Sequence, residues 1–155
     1  MLDLRPTAEH ELAAVAEMEL DDGTSRWLGD TSREWHAKAL ADSDQEHLLA
    51  ETRDGPAGFA VLAGLSRQDR VIELRRIVVA EHARGSGTGR RLLRLLVDRA
   101  HQRYQASRVW LDVKPSNARA LALYESEGFV VERTLPAAIA EPDGSRSDLL
   151  LLVHP

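Results

Sequence analysis

Val71-Ile72-Glu73-Leu74-Arg75-Arg76-Ile77-Val78-Val79-Ala80 is a long run rich in β-branched residues, and Arg84-Gly85-Ser86-Gly87-Thr88-Gly89 follows it after Glu81-His82-Ala83. The first segment has the composition of a strand. Beyond the glycines, Leu93, Leu96, Val97, Ala100 and Tyr104 recur at helical spacing between Arg90 and about Tyr104, with arginines on the other faces. A strand, a glycine-rich loop and an amphipathic helix therefore stand in succession. Closely spaced glycines let backbone N–H groups turn inward, and a helix N-terminus behind them adds positive potential, so the loop is shaped to cradle a pyrophosphate. It is not the dinucleotide fingerprint, which needs G-x-G-x-x-G, nor a P-loop, because no Gly-Lys-Ser/Thr follows.

Working outward, Leu2 to Arg5 predicts a short first strand stopped by Pro6 and Thr7. Thr7 then caps a helix from Ala8 to about Leu20, whose Leu12, Val15, Ala16 and Glu19 share one face. Asp22-Gly23 breaks it, and Thr31-Ser32-Arg33-Glu34 opens a second helix, to about Ala41, with Thr31 and Glu34 as a capping box. His47 to Thr52 and Ala57 to Ala63 flank Asp54-Gly55 as a hairpin, and Val71 to Ala80 is the third strand of that meander. Arg108 to Val113 alternates as a strand ended by Pro115, and Asn117 to Glu127 is helical with Gly128 as its stop. Phe129 to Thr134 and Leu149 to Val153 finish as strands around a turn at Asp143-Gly144. The order βααβββαβαββ predicts an α/β fold in a single domain, residues 1–155, with a mixed, mostly antiparallel sheet of about seven strands flanked by about four helices.

Composition narrows the function classes. A 43% hydrophobic, 29% charged chain of 155 residues has an ordinary soluble balance and enough length for one sizeable core. With no cysteine there is no disulfide framework, thiolate metal site or thiol nucleophile. No apolar signal-peptide core opens the chain and no run reaches the length of a membrane span, so the sequence reads as cytoplasmic. A net charge of −5 argues against nonspecific nucleic-acid binding. Charge is nevertheless polarised: acids outnumber bases twelve to three between Ala8 and Glu51, whereas seven arginines face only Asp98 between Arg84 and Arg108. The acidic third suits a cationic partner and the basic middle a phosphorylated one; two solvated helix faces of opposite sign are the plainer alternative. The six histidines show no metal-ligand spacing and no metal is implied. Trp27, Trp35 and Trp110 read as packing residues, with Trp27 and Trp35 also candidates to line an amine pocket.

In this context Arg84, Gly87 and Gly89 resemble motif A of the GNAT (Gcn5-related N-acetyltransferase) superfamily, R/Q-x-x-G-x-G/A after a long strand. The resemblance continues through Val109 to Asn117 and through Ala122-Leu123-Tyr124-Glu125-Ser126-Glu127-Gly128-Phe129. These blocks are similar to motif B of bacterial N-terminal alanine acetyltransferases of ribosomal proteins. It covers about His47 to Phe129. It implies acetyl-CoA as cosubstrate and a primary amine as acceptor: a polyamine, another small-molecule amine or a protein N-terminus. Ile77, Val78 and Val79 fall where family members pair backbone with the pantetheine arm and polarise the thioester carbonyl. Arg84, Gly85, Ser86, Gly87, Thr88, Gly89 and Arg90 match the pyrophosphate loop, Asn117 an asparagine near the pantetheine, and Tyr124 the tyrosine facing the sulfur. A homodimer through the last strands, common in the superfamily, is a further implication.

Acetyl transfer needs a neutral amine, and an alkylamine titrates near 10.4, so a base must take a proton. Glu73 matches the catalytic Glu of Gcn5-like enzymes, and strict alternation places it on the face of Ile77 and Val79. Asp112 competes, matching a strand Glu of the ribosomal alanine enzymes. Tyr124 would be the general acid, and Asn117, Leu121 and Tyr124 share a helix face. Glu73 paired with Arg75 or Arg76 and Tyr124 as plain core are the structural alternatives. Where the family often has Pro and an aromatic, this chain has Glu81-His82-Ala83, and its tail from Thr134 to Leu152 resembles the last hairpin of small-amine acetyltransferases. Absence of cysteine implies direct transfer in a ternary complex. A non-catalytic acyl-CoA-binding module and a nucleotide-binding protein are the rival readings.

Overall fold

The computed structural model describes residues 1–155, the side chain of Asp22 excepted. Seven strands form one sheet: β1 (Asp3–Pro6), β2 (Gln45–Thr52), β3 (Gly55–Ala63), β4 (Val71–Val79), β5 (Arg108–Val113), β6 (Val130–Ala140) and β7 (Arg146–His154). Their spatial order is β1-β2-β3-β4-β5-β7-β6, and only β4 and β5 run parallel. Five α-helices cover the sheet: α1 (Leu12–Glu17), α2 (Asp22–Ser25), α3 (Arg33–Ala41), α4 (Thr88–Tyr104) and α5 (Ala118–Ser126). No helix among the described residues is long and apolar enough to cross a membrane.

The expected element order holds, with local differences that have physical causes. The first helix begins as a 3₁₀ turn at Glu9–Glu11 and ends at Glu17, and α2 lies where the sequence marked a break. Thr7 does not cap it. Instead the Glu11 carboxylate takes the Ala8 N–H at 2.8 Å, while Thr7 is buried against His47. The cap of α3 is Ser32, whose hydroxyl accepts from Trp35 N–H at 3.1 Å, so Thr31 and Glu34 form no capping box. The final hairpin is longer than its apolar pattern suggested, because β6 and β7 remain paired through Ala140↔Arg146.

Two cores result. On one face Leu92, Leu93, Leu96 and Ala100 of α4 and Tyr124 of α5 pack on Ala60, Leu62, Ile72, Leu74, Leu111 and Leu152. On the other, Val15 of α1 packs on Leu49, Phe59 and Val78. Strand β4 contributes to both through a one-residue bulge. Val61 lies opposite Arg76 and Leu62 opposite Leu74, leaving Arg75 without a partner across β3. Alternation slips there: Leu74 and Ile77 face the α4 core, whereas Glu73, Arg76 and Val78 face the α1 side. Strict period two had placed Glu73 with Ile77 and Val79; the bulge puts it on the opposite face.

The α1 side contains a chain of buried polar groups. Glu19 and His36 are 0% exposed and His47 2%. Thr7 Oγ1 and His47 Nδ1 are 2.8 Å apart, His47 Nε2 and His36 Nδ1 2.9 Å, and His36 Nε2 contacts Glu19 Oε1. The other carboxylate oxygen of Glu19 receives Arg76 at 2.8 Å. Burial, followed by the charges of His36 and Arg76, pushes the His47 imidazole down to about 4. A histidine held neutral in the fold stabilises fully above its ordinary value of 6.5 and loses that contribution as pH falls toward about 4.

Two stability outcomes follow. Glu19→Ala, which strands a buried guanidinium and an imidazole, costs about 3–5 kcal/mol in a urea titration. In wild type the unfolding midpoint declines between pH 6.5 and about 4, and part of that decline disappears in His47→Gln; identical slopes in the two proteins would mean that His47 titrates normally.

Candidate active site

Parallel pairing of β4 with β5 is short: Val71↔Arg108, Ile72↔Val109 and Glu73↔Trp110, after which the strands separate. From Leu74 onward β4 keeps its ladder with β3, and from Leu111 onward β5 keeps its ladder with β7, but each faces the other unpaired. The bulge at Arg75 sits at the fork and increases the local twist. Between the diverging strands lies a cleft of about 590 Å³. Its walls include Leu74 to Ile77 of β4, Leu111 to Lys114 on and after β5, and Asn117 and Tyr124; the loop Ser25–Gly29 and the hairpin residues Ile139 to Pro142 complete it. The hairpin reaches the cleft because β6 kinks where Ala137 adopts φ +50°, its N–H held by Asp148 at 2.9 Å.

The glycine loop closes one end of this region. Gly85 and Gly87 have φ of +84° and +79°, the left-handed region that glycine adopts without a Cβ penalty. The turns leave a run of donors: among the described residues, the backbone N–H groups of Gly85, Ser86, Gly87, Thr88, Gly89 and Arg90 have no protein acceptor, and donation resumes with Arg91 N–H to Gly87 O at 3.1 Å. Six consecutive unspent donors, three in the loop and three in the first turn of a seventeen-residue helix, fit an anion such as a pyrophosphate. The arginines expected to hold it are otherwise engaged. Arg84 bonds Asp21 at 2.8 and 3.0 Å, Val79 O at 3.0 Å and the Thr24 hydroxyl. Arg90 reaches Ser126 and Glu127 at 2.9 and 2.8 Å. Their side chains tie the loop to α2 and α5, and its backbone N–H groups are what the loop leaves free for an anion.

Glu73, Asp112 and Tyr124 come close to one another with different surroundings. Glu73 is held by Arg75 at 2.7 and 3.1 Å, the ion pair that was its structural alternative, and does not line the cleft. Asp112 lines the cleft, open to solvent on one side. Its carboxyl is raised above the usual range, first because the walls displace part of its water and then because Glu73 adds like charge. Tyr124 is 8% exposed, and burial followed by the charge of Asp112 pushes its hydroxyl up to about 12. Asn117 caps α5, its Oδ1 accepting from Ala120 N–H at 3.4 Å, and leaves its amide N–H₂ to the cleft. Leu121 turns instead to the core. Ile77 lines the cleft, Val79 packs on the α4 core and Val78 faces the other way, so what the three offer in common is backbone.

Trp27 lines the cleft, whereas Trp35 borders a neighbouring cavity of about 260 Å³ and stacks on Arg76. Part of the polarised sequence charge cancels in space, since Glu19 pairs with Arg76, Asp21 with Arg84 and Glu46 with Arg99. The cleft is accordingly not acidic, with Arg26, Arg75, Arg76 and Lys114 on its walls beside Asp112 and Glu141. Among the described residues no cluster of three or more histidine, aspartate or glutamate side chains is placed to hold a metal. Sequence reasoning had named Arg76 only as a possible partner of Glu73 and Trp27 only as a pocket candidate, and had not brought the rest of the Ser25–Gly29 loop or Ile139 to Pro142 to the cleft; Glu19, a carboxylate at helical spacing with Leu12 and Val15, was the signal available for a buried ion pair.

Comparison with known proteins bears on this geometry. The model of the acetyltransferase (GNAT) family matches residues 12–129. The [ribosomal protein bS18]-alanine N-acetyltransferase of Escherichia coli K12 is 33% identical over 124 residues, 78% of this chain and 80% of that one. The crystal structure of the Escherichia coli ribosomal-protein-S18-alanine N-acetyltransferase superposes with a TM-score of 0.81 at 26% identity, covering 100% of this chain and 94% of that one. Spermidine N-acetyltransferase from Vibrio cholerae, in complex with CoA and spermine, shares the fold at a TM-score of 0.85 and 21% identity, covering 98% and 94% of the two chains.

The loop makes a quantitative expectation. A Cβ at position 87 forces a left-handed backbone on an L-residue, at a cost of about 1–2 kcal/mol. At position 89 a Cβ meets only ordinary contacts, 3.7 Å from Leu123 and Val79. Gly87→Ala therefore lowers the unfolding free energy by about 1–2 kcal/mol in a urea titration, and Gly89→Ala changes it much less.

Proposed function

The chain belongs to the acetyltransferase (GNAT) family and is an acetyl-CoA-dependent N-acetyltransferase, and from this premise we propose that the fork between β4 and β5 is where donor and amine meet, with Asp112 as general base and Tyr124 as general acid. The observation that carries this reading is a solvent-reached carboxylate of raised pKa in the same cleft as a buried tyrosine that keeps its proton. Acetyl-CoA supplies an activated acetyl thioester, which the amine attacks as a C–N bond replaces the C–S bond.

The protein manages the protons and the charge. Asp112 accepts the surplus proton of the ammonium and releases it to solvent, then takes the second proton that nitrogen loses as the amide forms. Tyr124 gives its phenolic proton to the departing thiolate and recovers one from the cleft. The exposed edge of β4 around Ile77 offers backbone N–H groups toward the carbonyl oxygen, whose negative charge grows during the attack. The Gly85–Arg90 donors and the N-terminus of α4 hold the pyrophosphate. Asn117 donates toward the pantetheine arm. Glu73, ion-paired with Arg75, still raises the Asp112 carboxyl by like charge that Arg75 only partly offsets, and is a weaker candidate for base than the resemblance alone implied.

The acceptor is a primary amine, and transfer is direct because no cysteine is available for an acyl-enzyme. Thiol release from acetyl-CoA, followed with a dye to which this chain adds no background, tests the activity. Tyr124→Phe and Asp112→Asn each lower kcat by about 10²–10⁴ with the KM for acetyl-CoA little changed. Glu73→Gln lowers it less than tenfold, and its acidic limb in kcat/KM moves down because a like charge near Asp112 is gone. A loss for Glu73→Gln as large as for Asp112→Asn would reassign the base.

A further inference from the structure

Arg76 belongs to the cleft wall yet is 8% exposed, and its charge is engaged on one side only. One terminal nitrogen serves both known contacts, Glu19 Oε2 at 2.8 Å and Asp30 O at 2.8 Å. The guanidinium lies 3.7 Å from the centre of the Trp35 ring. Among the described residues its Nε and its other terminal nitrogen have no protein acceptor. Glu19 is itself fixed by His36, and His36 by His47, so the plane of the guanidinium is set from behind by groups that are nearly or wholly buried. An arginine with several N–H donors unspent, locked in orientation beside a reaction cleft, is arranged to receive an oxygen.

The remaining cleft charges limit what that oxygen belongs to. Lys114 is paired with Glu141 at 2.6 Å and Arg75 with Glu73 at 2.7 Å. Asp112 has no salt-bridge partner among the described residues. Arg26, also on the wall, lies over the Trp27 ring at 5.8 Å from its centre, so the cleft offers one carboxylate outside any salt bridge for an ammonium and, in Arg76, a guanidinium edge fixed from behind for an oxygen acceptor, with no surplus of negative charge for a second or third ammonium. Both groups lie on the same side of the sheet, because Glu73 pairs across with Trp110, two residues before Asp112, and shares its face with Arg76.

Resting on the acetyltransferase reading above, we propose that Arg76 is the specificity-determining residue of the acceptor subsite, taking a carbonyl or carboxylate oxygen carried on the carbon next to the amine, and that the acceptors are α-amino carbonyl compounds rather than polyamines. Asp112 takes the ammonium proton while Arg76 holds the oxygen, which fixes the amine for attack. Glu19 acts through Arg76 as a positioning residue.

The test compares three acceptors of similar bulk: alanine, alaninamide and sec-butylamine, the last lacking the oxygen, with spermidine as a polycation. With wild type, thiol release gives a kcat/KM for at least one of the oxygenated acceptors about tenfold or more above sec-butylamine and spermidine, the size expected for a charge-assisted hydrogen bond. The ratio of alanine to alaninamide tells whether a carboxylate or a neutral carbonyl is preferred. Arg76→Lys keeps the charge but loses the fork, and collapses the preference mainly through the acceptor KM, with the KM for acetyl-CoA unchanged. If that variant does not fold, the wild-type ratios decide alone. Equal rates for all four, a preference for spermidine, or an unaltered preference in a folded Arg76→Lys overturns the proposal while leaving the acetyltransferase reading intact. No amine-dependent thiol release from any acceptor, including a panel of aminoglycosides and N-terminal peptides, overturns both.

Discussion

Parallel pairing between β4 and β5 stops after three residue pairs, and most of what the molecule offers chemically depends on that stop. A sheet that stayed closed would satisfy the backbone of Leu74 to Val79 on both edges and leave no room for a ligand. The bulge at Arg75 prevents it, since an extra residue bends β4 away from β5 while β3 follows the bend. One inserted residue thereby produces a cleft, an unpaired strand edge and a change in which side chains look into each core.

Holding the fork open requires that its outer surface be anchored, and the anchors are ion pairs drawn from distant parts of the chain. Glu19 of the α1–α2 segment takes Arg76 just past the bulge, and Asp21 takes Arg84 at the entry to the glycine loop. Arg99 on α4 reaches Glu46 on β2. The two ties from the α1–α2 segment hold the same strand and loop that are proposed as the donor site. They also hold two carboxylates of the N-terminal third against arginines, and Arg84 beside Asp21 holds its carboxyl down to about 2. An electrostatic attraction for polycations, which the linear charge pattern suggested, is thereby replaced by a nearly balanced cleft.

Elements governed by local periodicity were legible in the residues. β4, the loop at Arg84 to Gly89, α4, β5 and α5 lie within about two residues of their expected positions, because β-branched runs, left-handed glycines and a three-to-four spacing are properties of short windows. Tyr124 and Asp112, which both line the cleft, were singled out for the same reason, since each belongs to a compact motif. What was hidden is non-local. The bulge is a relation between β4 and β3, so alternation along β4 alone placed Glu73 on the wrong face. The shift from Thr31 to Ser32 as the cap of α3 is one residue and turns on φ and ψ, not on residue type. Arg84 and Arg90 looked like phosphate ligands because their partners, Asp21 and Glu127, are 63 and 37 residues away. Arg76 carried no signal of its own until Glu19, Asp30 and Trp35 were seen to converge on it.

The central claim is that the open edge of β4 and the glycine loop together form the donor site, and amide hydrogen exchange on the intact protein tests it most directly. Addition of coenzyme A is expected to slow exchange at the amides of Gly85 to Arg90 and along the Ile77–Val79 edge, with little change in β1, β2 or the outer strand β6. Protection confined to other elements, or none at saturating coenzyme A, would contradict the account.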